Sequence, residues 1–401
     1  MKHYDILIVG GGAAGFFSAI NIAEKNPKLK IAILERGKET LTKVRISGGG
    51  RCNVTHHCFE VSELVKFYPR GEKELKSPFS VFSPKDTIDW FSKHNVKLKT
   101  EADNRMFPTT DSSQTIIDCF VENARKLKID VLTSQSVQSV FKSDDNWKIE
   151  TQNEQYSCQD LIFATGSNPK IWELLEGLGH KIISPVPSLF TFNIKDNRIK
   201  DLMGLSTVAS VKISQSKLQE SGALLITHWG LSGPAVLKLS AWGARELFDK
   251  NYQFQISVNW LDYISFEQCV EELKKVKSSD SKKLIRNRKA FDIPTRLWES
   301  LVTAAEISDD LKWADLSKKQ LNNLANQLTN CQFQVNGKST FKDEFVTAGG
   351  IDLKEINFKT MESKLHKNLY FAGEILNIDA ITGGFNFQNA WSGGFVIAQN
   401  F

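Results

Sequence analysis

The chain has 401 residues, too many for one ordinary hydrophobic core, so two or three domains are expected. Hydrophobic residues make up 41% and charged residues 24%, the balance of a soluble globular protein. The net charge of +5 is mild and no long basic run dominates, so the charge does not argue for a nucleic-acid-binding protein.

The chain opens with Met1-Lys2-His3 and an apolar Ile6-Leu7-Ile8-Val9, which mimics a signal peptide. The apolar run is short and three glycines interrupt it, and no stretch reaches the about eighteen apolar residues needed to span a bilayer. Six cysteines sit at 52, 58, 119, 158, 269 and 331, with no C-x-x-C spacing. Reduced thiols, no metal site and a cytoplasmic location are expected.

Residues 4–9 read as a strand buried on both faces, because they are apolar without alternation. Gly10-Gly11-Gly12-Ala13-Ala14-Gly15 follows and fits G-x-G-x-x-G. Gly10 permits the tight turn, Gly12 lets the backbone approach a pyrophosphate, and Gly15 allows close helix packing. The helix that follows turns Phe16, Phe17, Ile20 and Ala23 toward the sheet, and its N-terminus offers N–H groups to phosphate. A second strand, residues 31–34, ends in Glu35, followed by Arg36. An acid at this place accepts hydrogen bonds from ribose hydroxyls. Together these elements point to a dinucleotide site, without separating NAD from FAD.

Next comes Lys43-Val44-Arg45-Ile46-Ser47-Gly48-Gly49-Gly50-Arg51-Cys52-Asn53, a glycine-rich basic loop. Successive glycines let backbone N–H groups enclose an anion, with Lys43, Arg45 and Arg51 as sources of positive charge. Cys52 reads as a small packing residue rather than a redox thiol. His56-His57-Cys58 fits no common zinc spacing and reads as a solvent-facing loop. Further motifs are Arg105-Met106-Phe107-Pro108, Phe163-Ala164-Thr165-Gly166, Thr227-His228-Trp229-Gly230-Leu231-Ser232-Gly233-Pro234, Thr347-Ala348-Gly349-Gly350, Ala372-Gly373-Glu374 and Gly383-Gly384-Phe385-Asn386-Phe387-Gln388.

Through these motifs, almost end to end, the chain resembles the NAD(P)/FAD-dependent oxidoreductases of the aminoacetone-oxidase-like kind, within the glutathione-reductase-like flavin superfamily. The resemblance implies tightly bound FAD lying extended across the sheet. It implies that residues 47–53 wrap the pyrophosphate and ribityl chain, that the backbone at Val137 holds the adenine, and that Glu374 binds the ribityl hydroxyls. The helix starting near Asn386 would direct its N-terminus at the flavin pyrimidine edge, where reduced flavin carries negative charge. Gly10, Gly12, Ala13, Ala14, Gly15, Glu35, Arg36, Lys43, Ser47 to Asn53, Val137, Ala164, Thr165, Gly166, Gly373, Glu374, Asp379, Gly383, Gly384, Phe385, Asn386 and Phe387 are therefore the candidate cofactor contacts. Relatives usually carry Leu-Asp where this chain has Leu376-Asn377, and Gly where Ala380 sits.

The expected fold is α/β: a discontinuous Rossmann-like FAD-binding domain (1–190 and 343–401), an inserted antiparallel β-barrel-like domain (191–262 and 331–342) and a helical subdomain (263–330). Alternating runs support the insert's strands, and leucines at helical spacing support its helices. His228, which introduces a glycine-rich turn, and Arg105, a possible carboxylate clamp, are the candidate catalytic residues. The basic stretch Lys274–Lys289 reads as a solvated helix face.

The leading function is two-electron redox chemistry on a small molecule, with NADPH or NADH as transient electron donor. No second G-x-G-x-x-G follows a strand, so no dedicated nicotinamide domain is expected. Two other readings stand beside it: an RNA-associated flavoprotein of the tRNA-modification kind, and a non-catalytic flavin-binding protein. Substrate identity and oligomeric state are not legible in the sequence.

Overall fold

In a computed structural model that describes residues 1–143, 145–339 and 346–401, the chain divides into two units. One comprises Met1–Val186 and the C-terminal segment; the other begins at Pro187. The expected boundary at 342/343 lies outside the described residues.

The first unit is built on a parallel sheet. Strand Lys2–Val9 lies between Ile31–Leu34 and Gln155–Phe163. Asp130–Leu132 extends the sheet on one side and Leu369–Phe371 on the other, all parallel. All four residues of Ile31–Leu34 are buried, as continuous apolar strands covered on both faces require. Leu369–Phe371 reaches this sheet from more than two hundred residues beyond its neighbour, which makes the domain discontinuous. An antiparallel hairpin, Val137–Ser143 with Asn146–Thr151, pairs onto Gln155–Phe163.

Helix Ala13–Lys25 follows the first strand and buries Phe16, Phe17, Ile20 and Ala23. Helix Phe385–Ala398 packs against it, and Gly394 permits the approach: a Cβ there would sit 2.9 Å from Ser18 Oγ. A small antiparallel sheet joins Thr55–His56, Arg105–Pro108 and Leu98–Thr100.

The second unit holds a seven-stranded antiparallel sheet. Its order is Cys331–Asn336, Gln253–Asn259, Ser206–Ile213, Gln219–Ile226, Gly230–Ser232, Thr191–Asn193 and Lys338–Ser339. Burial alternates along Cys331–Asn336, so one face packs and the other meets water. Among the described residues these pairings do not show the closed barrel that was expected.

Helices Phe266–Ser279 and Lys318–Thr329 each start with a capping box, Ser265 with Gln268 and Ser317 with Gln320. With Thr295–Ala304 they bury Trp298 and Trp313 in the same apolar cluster that holds Ile256, Val258 and Phe333 of the sheet. Helices and sheet therefore share one core. No helix among the described residues is long and apolar enough to cross a membrane.

Candidate functional site

The site begins where the central parallel strands end. Ala164 N–H donates to Val9 O at 2.8 Å and Ala372 N–H to Phe163 O at 3.0 Å. Gly10, Ala164 and Gly373 therefore meet at the carboxyl edge, where open α/β sheets receive ligands. Gly10 has φ +115°, and a Cβ on it would lie 2.4 Å from Ala164 O. Gly15 is as constrained, with a Cβ position 2.0 Å from Gly10 O. Gly12 differs: nothing lies within 4 Å of its Cβ position. Two of these glycines are thus needed for packing, while the third leaves open space at the start of helix Ala13–Lys25. Open space at a helix start, with the first-turn N–H groups of Ala13 and Ala14 directed out of the helix, is a geometry that could receive a phosphate.

Glu35 ends the second strand and is held in place. Its carboxylate accepts from Gly11 N–H at 2.9 Å and Gly37 N–H at 2.7 Å. Neighbouring Arg36 is exposed. The Glu35 and Gly37 carbonyls accept from Gln135 and Ser134 N–H, which draws the segment before Val137 to this strand end. Val137 is buried at the register shift that opens its strand.

The second glycine loop lies in the C-terminal part of Thr42–Gly50, where Ser47, Gly48 and Gly49 leave helical geometry. Gly48, Gly49 and Gly50 have φ of +58°, +69° and +82°, and the Cβ positions of Gly49 and Gly50 meet nothing within 4 Å. This is a second open backbone cradle. Cys52 follows, fully buried, and burial pushes its thiol up to about 12. A thiol so held is protonated and inert, which suits a packing residue.

Asn53 fastens this loop to the C-terminal helix. With the amide oriented so that both of its ends are satisfied, it donates to Thr55 O (3.1 Å) and Met106 O (3.3 Å) and accepts from Gly384 N–H (2.9 Å). Gly384, at φ +88°, caps helix Phe385–Ala398, and a Cβ there would strike Thr55 O at 2.6 Å. Asn386 grips the loop before it, accepting from Ala380 N–H at 3.0 Å and donating to Ala380 O at 3.3 Å. Phe385 stacks on Phe67 and His56, with ring centroids 4.4 and 4.6 Å away, and Phe387 stacks on Trp391. Gly383 leads into this cap.

The reading of His56 as part of a solvent-facing loop is corrected here. Strand pairing with Arg105 turns its ring onto Phe385, while His57 points outward. Alternation along an extended strand separates the two.

The cations expected to supply charge are engaged. Lys43 Nζ meets Glu374 Oε2 at 2.6 Å, beside Gly166. Arg45 donates to Gln114. Arg51 pairs with Glu101 at 2.6 Å and lies over the Phe107 ring. Arg105 pairs with Asp103 at 2.6 Å and with Glu101 at 3.4 Å. A carboxylate clamp at Arg105 would have to displace those acids.

Asp379, Asn377 and Gln388 were named from the sequence, but their surroundings were not anticipated. Asp379, with no exposed side-chain surface, takes a two-pronged ion pair from Arg70. Gln388 accepts from Thr55 (2.6 Å) and Thr87 (2.9 Å) and donates to Ser392, forming a buried network under the cap. The Oδ1 of Asn377 is buried with no partner among the described residues. An ionised aspartate there would cost more, a physical reason for this chain's departure at 377.

In the second unit, His228 is exposed in the turn between Gln219–Ile226 and Gly230–Ser232. The basic stretch is largely neutralised. Lys274, Lys275 and Lys283 pair with Glu271, Glu272 and Asp280, Arg286 pairs with Asp309, and Arg288 with Asp280.

Comparison with known proteins places this geometry. The family model described as the HI0933-like protein Rossmann domain matches residues 4–400. A ribosomal RNA dihydrouridine synthase of Escherichia coli is 29% identical over 100% of this chain and 98% of its own length. One from Haemophilus influenzae is 28% identical over 99% and 98%. A 3-dehydro-bile acid delta(4,6)-reductase from Clostridium scindens is 22% identical over 98% and 97%. Among solved structures, a 3-ketosteroid-delta4-(5alpha)-dehydrogenase from Rhodococcus jostii shares the fold, with TM-score 0.52 at 12% identity over 99% of this chain and 97% of that one. The chain belongs to the HI0933-like family of FAD-dependent Rossmann oxidoreductases, aminoacetone-oxidase-like flavoenzymes within the glutathione-reductase-like fold.

Proposed function

We propose that this protein reduces the C5=C6 double bond of a uridine in ribosomal RNA, with FAD as its cofactor and NADPH or NADH as electron donor. The observation that carries the reading is the end-to-end match to two ribosomal RNA dihydrouridine synthases, spanning both units. The proposal displaces the small-molecule reading and takes up the RNA alternative. It also answers the mild net charge: recognition of a single base needs placed contacts more than a large basic field. The C. scindens relative is named for reducing double bonds of a 3-dehydro steroid, and uracil likewise carries an alkene conjugated to a carbonyl.

Bound FAD would supply the hydride for such a reduction, and a proton completes the product. The chain's own residues hold and orient. Gly12, Ala13, Ala14 and Gly49–Gly50 offer backbone N–H groups to the pyrophosphate. Glu35 accepts from the ribose and Glu374 from the ribityl hydroxyls. The Gly383–Asn386 cap, fastened by Asn53 and Asn386, presents the positive end of helix Phe385–Ala398 to developing negative charge. Buried Phe385 and its stacked partners exclude water from that cap. His228, exposed on the second unit, is proposed to meet the RNA substrate.

The test is nucleoside mass spectrometry of ribosomal RNA from the source organism with the gene deleted. Loss of dihydrouridine, restored by the wild-type gene and not by a Gly12→Val copy, supports the proposal. Unchanged dihydrouridine refutes it.

A further inference from the structure

The turn Thr227–Gly230 of the second unit carries an exposed indole. Seven of the nine tryptophans are at most 6% exposed, whereas Trp229 is 56% exposed. An indole left in water forfeits the burial that tryptophan usually contributes, so a fixed outward indole calls for a partner.

The turn is fixed. Thr227 N–H donates to Gly230 O at 2.8 Å, and Trp229 N–H donates to Thr227 Oγ1 at 3.2 Å. Ile194 N–H donates to Trp229 O at 2.8 Å. Gly230 has φ +143°, and a Cβ there would fall 2.2 Å from Phe192 O, so the turn is pinned to the neighbouring strand. Trp229 is therefore presented by a braced backbone.

Its surroundings favour a polyanion with flat rings. The bond from Ile194 brings exposed Lys195 beside the turn. On the other flank, Gly204 N–H donates to Ile226 O, which brings Met203, 45% exposed, next to it. Asp196 is neutralised by Arg198 at 2.7 Å. Lys195 and, five residues further along the same loop, Lys200 are exposed and form no ion pair among the described residues; Asp201 follows, also exposed.

We propose that Trp229 is a stacking platform for an unpaired RNA base, with Lys195 and Lys200 on the adjoining phosphates. Indoles stack on every base, while lysines add a salt-dependent attraction to the backbone. This inference rests on the RNA reading above and assigns that reading a contact residue.

The test measures binding of the FAD-loaded full chain to a labelled single-stranded oligouridylate, across a salt series. Trp229→Ala is expected to weaken binding by about ten- to one-hundred-fold with the salt slope unchanged. Trp229→Phe is expected to keep most of the affinity. A Lys195→Ala, Lys200→Ala double variant should lower the salt slope instead. An abasic strand of equal length should lose the wild-type protein's advantage over Trp229→Ala.

Equal binding by wild type and Trp229→Ala, or no wild-type binding to the oligouridylate, overturns the stacking proposal. So does a Trp229→Ala variant whose only change is in oligomeric state, which would assign the indole to a protein contact. None of these touches the functional reading if wild-type protein still forms dihydrouridine. Loss of that activity as well would sink the functional reading itself.

Discussion

Asp160 offers a test of how the sheet that carries the site is held. It lies on Gln155–Phe163, the strand that delivers Ala164 to the nucleotide cradle, and is 9% exposed. Burial raises its carboxyl from 3.8 to about 6, and nearby Glu362 adds to the shift, partly offset by a hydrogen bond from Tyr370. The folded protein thus holds this proton more tightly than the unfolded chain does. Ionised Asp160 is a destabilising group: its cost is absent well below pH 3.8, grows as pH rises, and is complete above about pH 6. A shift of this size corresponds to about 3 kcal/mol at most, of which about 1 kcal/mol develops between pH 5 and pH 7. Asp160→Asn keeps an acceptor for Tyr370 and removes the charge. Urea unfolding at pH 5, 6, 7 and 8 is expected to show the variant more stable, by a margin that widens to pH 7 and then levels. A margin that is flat with pH, or a variant less stable at pH 8, would refute the reasoning.

Other substitutions separate packing from binding. Gly12→Ala should fold with an unchanged melting temperature and bind FAD about ten-fold or more weakly by fluorescence titration, because its Cβ enters the open cradle. Gly10→Ala should instead lower the melting temperature of the FAD-free protein, since its Cβ strikes Ala164 O. Arg70→Met should destabilise the protein by about 3–5 kcal/mol in urea melts by removing the guanidinium paired with buried Asp379, and Arg70→Met with Asp379→Asn should recover part of that loss. Cys52 should resist thiol reagents at pH 8 until the protein is unfolded, whereas half-buried Cys58 reacts first; rapid native labelling at Cys52 would contradict its burial.

The glycine geometry of the candidate site was legible because its requirements fall on the backbone. Gly10 and Gly15 serve a turn and a packing contact whose spacing is local in sequence, Gly12 leaves open space between them, and Glu35 sits at a fixed distance after them. The strand alternation of the second unit was readable for the same reason. What was not legible depends on contacts between distant residues. Arg70 and Asp379 are 309 positions apart, and Thr55 and Gln388 are 333 apart. No spacing rule connects them. Arg51 and Arg105 read as available cations because nothing local showed that the fold would bring Glu101 to both. The pairing of Lys274 and Lys275 with acids three residues earlier was visible in principle, since helix neighbours at that spacing meet.

The central claim is that a flavin held in this cradle delivers its electrons to a uridine of ribosomal RNA. The most direct test is a single turnover without oxygen. FAD-loaded protein is bleached with one equivalent of NADPH and mixed with ribosomal RNA transcribed without modification. The yellow colour is expected to return as dihydrouridine forms, one per flavin. A flavin that stays reduced with the RNA, or that reoxidises without dihydrouridine, would contradict it.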